Sequence, residues 1–329
     1  MTIMTAQGGG DGRWKTEPGD KTSGSSTIRG YDMNQQPNIY KNKKPVLVFL
    51  LPALLFLGVY LFYPFFQNIF NSFQSIKSLG TASKGLNEPF YENYVRMAKD
   101  PYMRTALKNT VIMIVVTLLG QVGIALVLAL MVDNIRRGAK FFRIVYFFPI
   151  VVSATALGLM FNLIFLYDKG MINQFLEMFG KTGLTDWKDS AHAMATMLIP
   201  VTWQYVGFYF IILVTGLNNI SDGLYESAAI DGASRWQRVR YISVPLLHNV
   251  ICTCAVLAVT GALKVFDLPW VMLTKGMPMG QTWLTGTYMY YYCFDAADVD
   301  YSSAISVLIV VLGVVLSKVV NTIFKEKEL

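Results

Sequence analysis

Long apolar stretches alternate with short polar ones along this chain. Six of the apolar runs, at about 45–70, 109–132, 144–167, 194–217, 243–263 and 302–324, carry almost no charge. A hydrocarbon core of about 30 Å takes roughly 20 residues of helix to cross. The pattern therefore predicts an all-α polytopic membrane protein with about six transmembrane helices. Lys318 interrupts the last run near its end, where a lysine can snorkel to the interface.

The polar stretches between the runs predict the rest of the organisation. Residues 71–106 end in a short amphipathic helix that leads into span two, with Asp100-Pro101 at the start of that span. Tyr91, Tyr94, Val95 and Met97 are expected on lipid headgroups there, and Arg96, Lys99 and Asp100 in water. The stretch 264–301 is too polar and too broken by Pro and Gly for a plain span, and too aromatic for a plain loop. Part of it is expected at the outer face, or re-entering the membrane where protein shields it.

Residues 221–245, SDGLYESAAIDGASRWQRVRYISVP, separate spans four and five and read as a helix–turn–helix. Ser221 or Asp222 can cap a first short helix, and Gly232 can take the left-handed conformation that stops it. Ser234 with Gln237 makes a capping box for a second helix. Lipid gives such a stretch nothing, so it is either an ordinary surface loop or a docking element for a partner.

Composition fits the same picture, with 53% hydrophobic and only 15% charged residues. Short basic loops such as DNIRRGAKFFR at 133–143 place both termini, and with them 221–245, on the cytoplasmic side. The net charge of +7 then needs no nucleic-acid partner. Residues 1–44 read as a disordered cytoplasmic tail, and 45–329 as the transmembrane domain, with a core at 105–324. The first apolar run begins too late for a signal peptide.

Candidate chemistry is sparse. There is no G-x-x-x-x-G-K-[ST] phosphate loop, no HExxH and no GxSxG. The chain is thus expected to be no enzyme, and to hold no metal or cofactor of its own. Cys252, Cys254 and Cys293 are expected to be reduced thiols, and His192 and His248 hydrogen-bonded or interfacial. Polar side chains inside spans are costly in lipid and mark solute pathways, which selects Asn162, Trp203, Gln204, Tyr205, Tyr209 and Asp267. Helix packing, interhelical hydrogen bonding or an aromatic belt would explain them as well. The same holds for the tyrosine cluster Tyr288, Tyr290, Tyr291 and Tyr292, which either meets an external protein or forms such a belt.

One spacing goes further. Glu226-Ser227-Ala228, three residues, Gly232, nine residues, then Ile242-Ser243-Val244-Pro245 resembles the cytoplasmic signature of the integral-membrane permease subunits of binding-protein-dependent ABC importers. The closer likeness is to the carbohydrate branch with the maltose and glycerol-phosphate permeases. Trp203, Gly207, Gly216, Leu217 and Ile220 match that family, as does KVFDLPWVMLTKG at 264–276. Ser221 for Pro, Val244 for Leu, and Lys275-Gly276-Met277-Pro278 for a glycine-richer run depart from it.

The resemblance implies that Tyr225, Glu226, Ala228, Ala229, Asp231, Gly232 and Ala233 couple the chain to a dimer of ATP-binding subunits, which would hold ATP and Mg. It also implies a second permease subunit (a paralogue), an extracytoplasmic solute-binding protein, and a sugar or oligosaccharide moved by alternating access across a bacterial or archaeal inner membrane. Two other readings are an ion-coupled secondary carrier and a non-transport membrane protein that docks a cytoplasmic partner.

Overall fold

The computed structural model describes residues 43–133 and 139–324. The tail expected at 1–44 lies outside these but for Lys43 and Lys44. The chain divides into two units, Met1–Leu55 and Phe56–Leu329. The described part of the first belongs to helix α1 (Lys43–Leu57). Among the described residues the second unit is helical, with one isolated bridge between Gln74 and Leu86. Its main helices are α2 (Tyr63–Asn71), α3 (Glu92–Lys99), α4 (Pro101–Val132), α5 (Ala139–Val151), α6 (Ala154–Ile164) and α7 (Met171–Met178). They continue as α8 (Ala193–Asn218), α9 (Asp222–Ile230), α10 (Arg235–Arg238), α11 (His248–Lys264), α12 (Asp267–Met272), α13 (Thr285–Tyr290) and α14 (Val299–Ile323).

Among the described residues five helical stretches are long and apolar enough to cross a membrane: Pro45–Asn71, Pro101–Val132, Ala193–Asn218, His248–Met272 and Val299–Ile323. The third expected span, 144–167, is not one straight helix. It breaks at Val152-Ser153 into α5 and α6, bent by 92°. Both arms are apolar, so hydropathy reads straight through the break. Pro149, near the end of α5, removes one donor from the helical ladder. The expected fifth span, 243–263, is also shifted: its helix starts at His248, and Ser243 is buried beneath the preceding loop.

Helix packing rests on close backbone approach. A Cβ on Gly207 of α8 would collide with the Tyr146 carbonyl of α5, so only glycine lets these helices touch. One on Gly158 of α6 would come within 2.9 Å of the Val271 side chain of α12. Around these crossings lie two apolar clusters, one on Phe210, Leu213 and Leu247 and the other on Met113, Met197 and Leu268. Facing outward are large apolar side chains such as Phe148, Leu163 and Val314, each more than half exposed. In water such a surface would be costly at about 25 cal/mol per Å²; lipid removes that cost.

The segment before α4 forms the expected short helix, with Asp100-Pro101 opening α4 and Tyr91 and Val95 exposed, but Met97 and Tyr94 differ from expectation. Helix α3 packs on protein: Met97 is buried, and the Tyr94 hydroxyl lies 2.8 Å from Ser72 Oγ. Asp100 caps α4, its Oδ1 accepting from the Tyr102 and Met103 amides. Its Oδ2 accepts from the hydroxyls of Tyr288 (2.6 Å) and Tyr301 (2.7 Å). Tyr288 is thus buried and no part of an interfacial belt. Burial, and then the bond to Asp100, push its phenol above the ordinary tyrosine range. Arg96 is exposed, as expected, and also donates to Asp298 at 2.7 Å and lies over the Tyr301 ring at 4.1 Å. Among the cysteines only Cys254 is fully buried, and all three are free thiols. Both histidines are hydrogen-bonded, His192 to Asp189 and His248 to the Phe324 carbonyl.

Gly207→Ala should lower stability by about 2–3 kcal/mol, because the α5 backbone must move to admit a methyl group. Gly261→Ala is the contrast: its Cβ would meet nothing within 4 Å, and helix propensity favours alanine by up to about 1 kcal/mol. Unfolding midpoints of the two variants in detergent check the difference.

Candidate functional site

Three helices and a helix break surround a cavity of about 200 Å³ where the two apolar clusters meet. Each wall is one helical face, set by the spacing of three and four residues that brings side chains into line. Helix α4 contributes Thr117 and Gln121; α8 contributes Val201, Gln204, Tyr205 and Tyr209. From α11 come Ala258, Gly261 and Ala262, whose small size leaves the space open. The chain then leaves the helix at Val265-Phe266 before Asp267 starts α12, and these residues close one side together with Ala154 of α6. A helix that stops here leaves its last carbonyls outside the helical ladder, and those of Leu263 and Val265 lie beside Gly286 of α13.

Four of the six pathway residues read from the sequence come together in this wall: Gln204, Tyr205, Tyr209 and Asp267. Asn162 and Trp203 do not. Asn162 donates from Nδ2 to the Val271 carbonyl at 3.1 Å, satisfying the end of α12, and its Oδ1 accepts from Lys188 Nζ at 2.7 Å. Burial beside this amide holds the Lys188 ammonium below the usual lysine range. Trp203 is 43% exposed and packs its ring edgewise against Phe161. Sequence reading missed Thr117, Gln121, Lys264 and Phe266. Gln121 and Lys264 could have been found by the rule that selected Gln204, since each is a polar group within or at the end of an apolar run. Gln121 is buried and donates from Nε2 to the Val201 carbonyl at 2.9 Å, which leaves its Oε1 and a second N–H for the cavity.

The loop 221–245 is built as its local signals require. Ser221 precedes α9, though its side chain caps nothing. Gly232 ends the helix at φ +77°, a conformation that costs other residues a clash with their own backbone. Ser234 and Gln237 form both halves of the capping box on α10. Glu226, Ala229, Asp231 and Gly232 are exposed, while Ala228 and Ala233 are half-buried. Tyr225 turns inward, its hydroxyl 2.9 Å from Ser243 Oγ. Large apolar side chains stand out into solvent around them: Ile230 is 87% exposed, and Trp236 and Tyr241 are each 71% exposed. Exposed apolar side chains rimmed by polar residues are found at protein- and membrane-interaction surfaces.

Comparisons with known proteins agree with this architecture. The family "Binding-protein-dependent transport system inner membrane component" matches residues 121–327. The chain is 32% identical over 291 residues to the "Probable ABC transporter permease protein YurN" of Bacillus subtilis (strain 168), covering 87% of this chain and 98% of that protein. It is 30% identical over 301 residues to the "Lactose transport system permease protein LacF" of Rhizobium radiobacter, covering 90% and 95%. Among solved structures, one chain of a bacterial ABC transporter involved in the import of the acidic polysaccharide alginate superimposes with a TM-score of 0.76 at 20% identity, covering 87% of this chain and 97% of that one. That likeness shows the fold. With the family matched over most of the folded chain and the multi-pass helical architecture in place, this chain belongs to the inner-membrane components of binding-protein-dependent transport systems, and is a membrane permease.

Proposed function

We propose that the chain passes a sugar or oligosaccharide through the cavity between α4, α8 and α11, driven by separate ATP-binding subunits. The lining of that cavity carries the reading. Gln121, Gln204, Thr117 and the Tyr205 and Tyr209 hydroxyls offer amide and hydroxyl partners to a polyol, and aromatic faces can stack on its C–H surface. Lys264 and Asp267 bring one charge of each sign, which suits a neutral solute. Relatives named for the transport of lactose, arabinooligosaccharides and sulfoquinovosyl glycerol support the substrate class.

In this mechanism α9 is the coupling element. Glu226 pairs with a cation on an ATP-binding subunit, while the small Ala228, Ala229, Gly232 and Ala233 let the two backbones approach, Asp231 adds a second anion, and Tyr225 braces the helix from behind. ATP and Mg reside on that partner dimer. A second permease subunit, a paralogue, completes the pathway, and an extracytoplasmic solute-binding protein delivers the sugar. A solved relative in complex with an alginate pentasaccharide-bound periplasmic protein supports that last partner. Both termini and the loop then face the cytoplasm of a bacterial or archaeal cell. An ion-coupled carrier, or a membrane protein that docks a partner without transport, has no such observation in its favour.

Two outcomes test the reading. Glu226→Lys should break association with the ATP-binding subunits, since truncating a partly desolvated interfacial charge costs about 2–5 kcal/mol. Copurification and ATP-driven uptake should both be lost with the unfolding midpoint unchanged, and retention of both would overturn the docking assignment. Gly261→Leu should fold normally, as its Cβ has open space, yet fill the cavity and abolish sugar uptake with ATP-binding subunits still attached. Uptake at the wild-type rate would move the pathway elsewhere.

A further inference from the structure

A second cavity, of about 380 Å³, lies behind the loop, between α9, α10 and the adjoining end of α8. Among the described residues its charged lining is Arg235, Arg238 and Asp222, two cations against one carboxylate. Among the described residues, none of the three belongs to an ion pair within 4.0 Å. The Nε–H of Arg238 is buried and donates to no acceptor. An unpaired buried donor on a charged group is costly, and a guanidinium offers its donors as a planar fork matched to oxyanions. Tyr225 and Ser243, also in the lining, face each other at 2.9 Å. Two hydroxyls bring two protons and their pairing uses one, so one O–H remains to donate.

The cavity's surroundings point to its occupant. Leu217 of α8 and Leu130 of α4 also line it, near the ends of two membrane-crossing helices. It therefore sits where an apolar layer gives way to headgroups and water. We propose that this cavity binds one phosphate-bearing anion, held by Arg235 and Arg238, with the free hydroxyl of the Tyr225–Ser243 pair donating a further hydrogen bond. Among the described residues the lining's two guanidiniums outnumber its one carboxylate, which suits an anion. An acidic phospholipid headgroup and free inorganic phosphate share the required chemistry. This site stands apart from the solute pathway and from the exposed face of α9.

The test uses the full-length chain in mild detergent, stripped of lipid and titrated separately with phosphatidylglycerol, phosphatidylcholine and inorganic phosphate. Native mass spectrometry reads the bound species, and the unfolding midpoint reads its effect. One anion should bind, with affinity about tenfold or more weaker in the Arg235→Gln, Arg238→Gln double variant. Retention of phosphatidylglycerol over the other two, lost in the double variant, supports the site with the membrane as source. Arginine-dependent phosphate binding without lipid preference supports it with a soluble anion. Equal binding by wild type and double variant, or none by wild type, overturns it. Should the double variant not fold, Arg238→Lys and Tyr225→Phe decide: each should weaken binding several-fold, and unchanged affinity in both overturns the proposal.

Discussion

In an apolar layer, a backbone N–H or C=O that leaves the helical ladder finds no water to bond, and the placement of the site depends on this constraint. A membrane helix can stop midway only where protein or a polar cavity takes up the freed groups. This chain stops twice in that way, at Val152-Ser153 and at Val265-Phe266. Ala154, which opens the helix after the first break, and Val265-Phe266 themselves line the same cavity. The breaks are braced against each other: Asn162, beyond the first, bonds the Val271 carbonyl beyond the second, and Gly158 lets the two helices close to contact. The irregular backbone is therefore the scaffold of the cavity.

How much of this was legible in the sequence depends on the range of each interaction. The caps and turns of the loop are local, so Ser234 with Gln237, and Gly232, stood in the sequence as they stand in the fold. The spans were legible because hydropathy sums over many residues. The bend after Val151 was not, because a run that is apolar on both sides of a break carries no signal of it. Polar residues in spans could be seen but not assigned. Gln204 and Asn162 look alike in sequence, yet one lines the cavity and the other satisfies a helix end through a carbonyl 109 positions away. Tyr288 was illegible for the same reason: the Asp100 carboxylate that buries it is 188 positions away.

The proposed coupling loop and the cavity lie on different parts of the chain, but the same two helices serve both. Helix α8 carries the Val201–Tyr209 face of the cavity and ends at Asn218, three residues before the Ser221 that opens the loop. Helix α11 leaves the loop at His248 and carries the face from Ala258 to Ala262. Near the loop the two are pinned, since a Cβ on Gly216 would meet Leu247 at 2.8 Å and Val250 at 3.0 Å. Farther along they part around Gly261, where there is open space. Packed helices resist continuous deformation and move as rigid bodies. A pull on α9 therefore cannot be absorbed at the pinned end. It must appear where α8 and α11 have room to shift, at the cavity. The side-chain size that makes Gly216 a pivot and Gly261 a space thus gives the loop mechanical access to the proposed solute path.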